Sequence, residues 1–136
     1  MSNFYALINR MKYIRRWCLM RANYDENLFE HSCQVAVIAH ALALIKNKKF
    51  GGNVDADFVA TAALFHDSSE VITGDMPTPV KYNNPALKSA YKDLEKTADE
   101  KLLSMLPDFL REEYEKYFKV DISSDEGRLI KAADKI

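Results

Sequence analysis

Residues 27–49 read NLFEHSCQVAVIAHALALIKNKK, and this stretch decides the fold. Val35, Ile38, Ala39, Leu42 and Ile45 recur at intervals of three and four, which places them on one face of a helix. His31 lies one turn upstream on that same face. Asn27, three residues before Glu30, is a capping-box variant that opens the helix. Lys46, Lys48 and Lys49 close it with positive charge, where the helix dipole favours cations. Gly51-Gly52-Asn53 makes the turn. The longest apolar stretch, Val35 to Ile45, is interrupted by His40 and falls short of the ~20 residues that a bilayer span needs, so no membrane partner is expected.

The same period extends outward in both directions. Phe4, Leu7, Met11 and Ile14 predict a first helix over about 3–17. Asp55 caps a third helix, whose apolar face carries Val59, Ala62, Ala63, His66 and Glu70. Gly74 ends it, and Pro77 and Pro79 make residues 74–85 a loop. A fourth helix puts Leu87, Ala90, Tyr91, Leu94, Ala98 and Met105 on one side. Ser123-Ser124-Asp125-Glu126 caps a last helix that holds Ile130, Ala133 and Asp134. Strand alternation, internal repeats and low-complexity tracts are not found, so the expected class is all-α.

With 136 residues, 48% hydrophobic and 29% charged, the chain suits one domain. That apolar fraction excludes a disordered chain. A formal net charge of -1 argues against a nucleic-acid polymer as partner, which would need a dominant basic face. Cys18 and Cys33 are too few for a disulfide scaffold, so a reducing, cytoplasmic setting is the default.

The informative polar groups are those that fall on apolar stripes. His31, His66, Glu70 and Asp134 each do so, on helices that should converge. A buried imidazole or carboxylate is costly unless paired or ligated. One such histidine is ordinarily a hydrogen-bonded core residue; several together point to a shared ligand. With Asp67 next to His66, the set offers two imidazoles and two carboxylates, which suits a borderline divalent metal. Arg10, Lys12, Arg15, Arg16 and Arg21, with no acid among them, supply a local positive field. Most of that cluster reads as a solvated helix face. His40 and Cys33 point away from the metal face.

The order His31, His66-Asp67, Asp134 resembles the H…HD…D pattern of the HD-domain phosphohydrolases. The flanking segments are more specific. Arg15-Arg16-Trp17, Glu30-His31-Ser32, Lys49-Phe50-Gly51-Gly52-Asn53-Val54, His66-Asp67-Ser68-Ser69-Glu70-Val71 and Thr73-Gly74-Asp75-Met76-Pro77-Thr78-Pro79 are similar to the bacterial 5′-deoxynucleotidase (YfbR-like) branch. The resemblance implies a helical HD-domain bundle over 1–136 with a metal site in its core. It implies hydrolysis of deoxyribonucleoside 5′-monophosphates to deoxyribonucleoside and phosphate by attack of a metal-activated water.

It further implies that His31, His66, Asp67 and Asp134 hold one divalent transition-metal cation: Co, Mn, Zn, Ni, Cu or Fe. Glu70, one turn after His66, is the implied general acid/base, with Asp67 and Arg16 completing the catalytic set. Arg16 grips the 5′-phosphate and Trp17 contacts sugar or base. His31, Asp67, Asp75, Met76, Pro77 and Thr78 complete the substrate residues. Another HD-type hydrolase, acting on a phosphodiester or a deoxynucleoside triphosphate, shares the ligand set; a non-catalytic metal- or nucleotide-binding module is the third reading. Enzymes of this branch continue for further helices beyond the position of Asp134, so the C-terminal helices are expected to be absent or truncated here, and the full-length protein is expected to be a homodimer.

Overall fold

A computed structural model describes residues 3–17, 25–74 and 84–136. The described residues are helical with irregular connections; the one sheet-like feature among them is an isolated antiparallel bridge between Arg15 and Asn27. The chain falls into two compact units, Met1–Glu30 with Ser68–Arg111 and His31–Asp67 with Glu112–Ile136.

The second unit is built on α2, Leu28–Phe50, which enters it at His31. The expected capping box is present: Glu30 N donates to Asn27 Oδ1 at 2.8 Å, and Asn27 Nδ2 donates back to Glu30 Oε1 at 2.9 Å. At the other end Gly51 takes φ 67, the left-handed conformation that a side chain resists. Asn47 then clamps the returning chain, donating to Val54 O at 2.7 Å and accepting from Val54 N at 2.9 Å. Asp55 caps α3, Ala56–Leu64, by accepting from Phe58 N.

Val35, Ala36, Ala39 and Ala43 of α2 pack with Val59, Ala62 and Ala63 of α3 and with Ile130 and Ala133 of α7, Asp125–Asp134. The many alanines let the helix backbones come close. Each fully buried residue of Val59's size contributes about 1.5–3 kcal/mol. Ser124 caps α7 by accepting from Gly127 N. Ile45 is not on the buried face as expected: it is 49% exposed, and Ala43 fills the inward position instead. By length and composition α2 could cross a membrane; here its inward side is the core of this unit.

In the first unit, the helix expected over 3–17 is shorter. α1 spans Asn3–Asn9, a 3-10 turn follows over Arg10–Tyr13, and Ile14 is extended. The reason is a competing partner for the backbone. Arg16 N donates to Glu26 O and Leu28 N to Ile14 O, so the chain doubles back. Phe4 and Met11 are buried as expected.

The third predicted helix is also interrupted. It stops at Leu64, and a short α4 begins only at Glu70 and ends at Thr73. Phe65 N and His66 N turn back to the carbonyls of Ala62 and Ala63, three residues behind, which tightens the last turn and ends the α-helical run. Asn84 caps α5, Pro85–Ser104, whose Pro85 sits in the first turn. Tyr91 and Ala98 are buried on α5, but Leu94 is 48% exposed, contrary to expectation. A further helix, α6, Asp108–Phe118, has no counterpart in the sequence reading. Pro107 breaks the chain before it, and Arg111 donates to the carbonyls of Leu103, Ser104 and Leu106 at the end of α5.

Candidate metal centre and substrate residues

Four ligand atoms converge in the second unit. His31 comes from the start of α2, His66 and Asp67 from the turn after α3, and Asp134 from the last position of α7. One donor atom from each lies within 4.8 Å of all the others. Asp134 Oδ1 is 2.7 Å from His31 Nε2 and 3.3 Å from His66 Nε2. Asp67 Oδ2 is 3.1 Å from His66 Nε2 and 3.7 Å from His31 Nε2. The two imidazole centroids are 5.5 Å apart.

The second nitrogen of His66 is already committed. Nδ1 donates to the Ala63 carbonyl at 2.7 Å, and a carbonyl can only accept, so Nε2 is the nitrogen aimed at the carboxylates. That is the arrangement in which a histidine ligand is oriented by an outer partner. The tightened turn that interrupts α3 thus also aims this ring.

The electrostatics favour positive charge at this point. Burial by itself would lower the His66 pKa. The Asp67 carboxylate reverses this, helped by hydrogen bonds with Asp134, Asp67 and the Ala63 carbonyl, and carries His66 up to about 10. Burial would raise Asp134, but the hydrogen bonds from His31 and His66 hold it well below the usual carboxylate range. Burial would likewise raise Asp67, and the neighbouring His66 keeps it low. Two imidazoles and two ionised carboxylates around one point match the donor set of a divalent transition metal.

The remaining predicted residues are described within the first unit. Arg16 is not part of an unopposed basic field, as its neighbourhood in the sequence suggested. Its Nη1 donates to Glu26 Oε2 at 2.6 Å, and Glu26 is 6% exposed. Arg15 likewise pairs with Asp25 at 2.8 Å, in solvent. The Arg16 guanidinium lies 4.8 Å from the Trp17 ring centroid. Trp17 is 40% exposed and takes φ 62, a conformation that costs a bulky residue energy and clusters at binding sites.

Glu70 opens α4 and lines a cavity of about 410 Å³ with Arg10, Tyr13, Ile14 and the residues through Gly74. Because α3 stops at Leu64, the expectation that His66 and Glu70 are one turn apart on one helix does not hold. Asp75, Met76, Pro77 and Thr78 lie outside the described residues. Glu26 is the residue that the sequence reading missed. The signal was available: Asp25-Glu26 directly follows a stretch of basic, acid-free chain.

Comparison with known proteins identifies the family and the fold. The model of a family described as 5′-deoxynucleotidase YfbR-like matches residues 3–136. A 5′-deoxynucleotidase of Vibrio vulnificus is 54% identical over 136 residues, covering 99% of this chain and 70% of the relative. One from Photorhabdus laumondii is 53% identical over 137 residues, covering 100% of this chain and 70% of the relative. Among solved structures, an HD-domain phosphohydrolase from Listeria innocua superposes with a TM-score of 0.84 at 26% identity, over 98% of this chain and 64% of that one.

Proposed function

The chain belongs to the YfbR-like 5′-deoxynucleotidase family, and from that premise we propose that it is a phosphoric monoester hydrolase acting on deoxyribonucleoside 5′-monophosphates. The observation that carries this reading is the convergence of His31, His66, Asp67 and Asp134, from three segments of the chain, within 4.8 Å.

Those four residues would hold one divalent cation, which when bound supplies Lewis-acid polarisation of the phosphoryl oxygens and lowers the pKa of water. The chain's own groups do the rest. Arg16 binds the 5′-phosphate; its planar fork suits two phosphate oxygens, and Glu26 fixes the direction of that fork. Glu70 takes the proton of the attacking water and returns one to the departing 5′-oxygen as the P–O bond breaks. Its place in the wall of a cavity that also holds Arg10 supports a role in contact with substrate. Trp17 walls the sugar, and its exposure and strained backbone support a contact role. The family resemblance assigns Asp75, Met76, Pro77 and Thr78 to sugar binding as well. With no room at C2′, a ribose hydroxyl is excluded, and Trp17→Ala should admit ribonucleotides.

Residues 1–136 act as an HD domain, in a homodimer located in the cytoplasm, where Cys33 stays a free thiol. The deciding assay measures phosphate released from thymidine 5′-monophosphate and uridine 5′-monophosphate with Co, Mn, Zn or Mg supplied. Release from the deoxy substrate alone, with a transition metal, is expected. Preference for cyclic nucleotides or triphosphates, or no release with any cation, would overturn the proposal.

A further inference from the structure

Glu26 holds Arg16 at two points. Arg16 N donates to the Glu26 carbonyl at 2.9 Å, and Arg16 Nη1 donates to Glu26 Oε2 at 2.6 Å. Leu28 N donates to Ile14 O at 2.8 Å, so the two runs are pinned on either side of the Arg15–Asn27 bridge. Two ion pairs cross between these runs, each joining residues ten apart in the chain, and their settings differ. Arg15 and Asp25 lie in solvent, where such a pair contributes little. Arg16 and Glu26 are withdrawn from water, with side chains 18% and 7% exposed. Removing one partner of such a pair leaves the other charge uncompensated, so the survivor is driven toward solvent.

Trp17 is attached to the same unit. Its ring centroid lies 4.8 Å from the Arg16 guanidinium carbon, within range of a cation–π contact. Among the described residues it is the one non-glycine residue with positive φ. Such a conformation persists only where the surroundings over-determine it. The pinned backbone that precedes Trp17 and the guanidinium beside its ring supply that constraint. We propose that Glu26 is a positioning residue that determines sugar specificity: it fixes Arg16, Arg16 fixes the Trp17 ring, and the choice of deoxyribose over ribose depends on a carboxylate that acts only through them. The proposal rests on the roles given above to Arg16 and Trp17. It adds that the phosphate grip and the sugar wall are one preassembled piece. Discrimination is then lost when that piece loosens, even with Trp17 still present.

Deoxyuridine 5′-monophosphate and uridine 5′-monophosphate differ only at C2′, so their ratio of kcat/KM isolates the sugar wall. Glu26→Gln keeps the side-chain shape and the backbone bond and removes the charge. Glu26→Asp keeps the charge and shortens the reach; it leaves no cation unpaired, which covers the case in which Glu26→Gln does not fold. Both should raise KM for the deoxy substrate and lower the deoxy-to-ribo ratio, by up to about 100-fold, with bound metal unchanged. In a Trp17→Ala background the same changes should still raise KM but leave the ratio where Trp17→Ala alone puts it. Trp17 is the one tryptophan in the chain, so its emission anisotropy reads the ring without hydrolysis. Both Glu26 variants should gain a fast depolarising component. An unchanged ratio or an unchanged anisotropy in a folded Glu26 variant would overturn the proposal, as would a ratio that falls by the same factor in the Trp17→Ala background. A parent protein that hydrolyses neither nucleotide would overturn the functional reading instead, and the anisotropy would still decide whether Glu26 holds the ring.

Discussion

Asp134 Oδ1 lies 2.7 Å from His31 Nε2, although 103 residues separate them in the chain. The contact exists because α7 and α3 pack together and share a core with α2, drawing the end of one helix to the start of another. The convergence of the four candidate ligands depends on that packing.

Asp134→Ala removes the oxygen that serves both histidines. It should weaken binding of Co or Zn by more than about 100-fold, the upper end of what the loss of an outer-shell partner costs. Titration calorimetry of the purified variant measures this. Metal affinity equal to that of the parent protein would exclude Asp134 from the ligand set.

Glu70→Gln keeps the shape of the side chain and removes its basicity. It should lower kcat by about 10²–10⁴ while the bound metal stays stoichiometric. The basic argument would fail if phosphate release were unchanged, or if the loss of activity followed a loss of metal.

Asp99 provides a pH-dependent test of stability away from the metal ligands. Burial, with Glu95 one turn earlier on α5, pushes its carboxyl up to about 7. The unfolded chain releases this proton near pH ~4, so between about 4 and about 7 the folded state binds more protons. Stability contributed by the protonated form is therefore lost as pH rises through that window, and stays lost above it. Asp99→Asn should raise the Tm at about pH 8 and leave it nearly unchanged at about pH 4, by thermal melts at both values. An equal shift at the two pH values would show that ionisation is not involved.

Gly127 sits where the start of α7 meets the preceding loop. A Cβ there would strike the Asp121 carbonyl oxygen and approach the Ile122 Cα to 2.8 Å. Backbone cannot step aside as a flexible side chain can. Gly127→Ala should cost about 1–3 kcal/mol in denaturant melts and lower metal affinity with it, because α7 carries Asp134. Lost stability with unchanged metal affinity would separate the packing of α7 from the centre.

Much of the fold was legible where the controlling physics is local. The caps at Asn27, Asp55 and Ser124 are each made by side chains within three residues of the groups they bind. The interruptions were not legible. Ile14 is extended because Glu26 and Leu28 pair with its neighbourhood, and a periodicity count does not see that partner. The turn at Phe65–Ser69 carries no glycine or proline to announce it. Ile45 and Leu94 fit the apolar period of their helices and are still half in water, since period says which residues share a face and not what the face meets.

By itself the sequence determined the helical class and the capped helix starts at Asn27, Asp55 and Ser124, and it singled out His31, His66, Asp67 and Asp134 as candidate ligands, because periodicity, capping and donor chemistry are properties of neighbouring residues. Only the tertiary structure decided that the four donors meet around one point, that the Ala63 carbonyl turns His66 Nε2 toward them, and that Arg16 answers to Glu26. Those facts depend on which helices pack together and how closely, and small alanine-lined interfaces set that distance for the whole core at once.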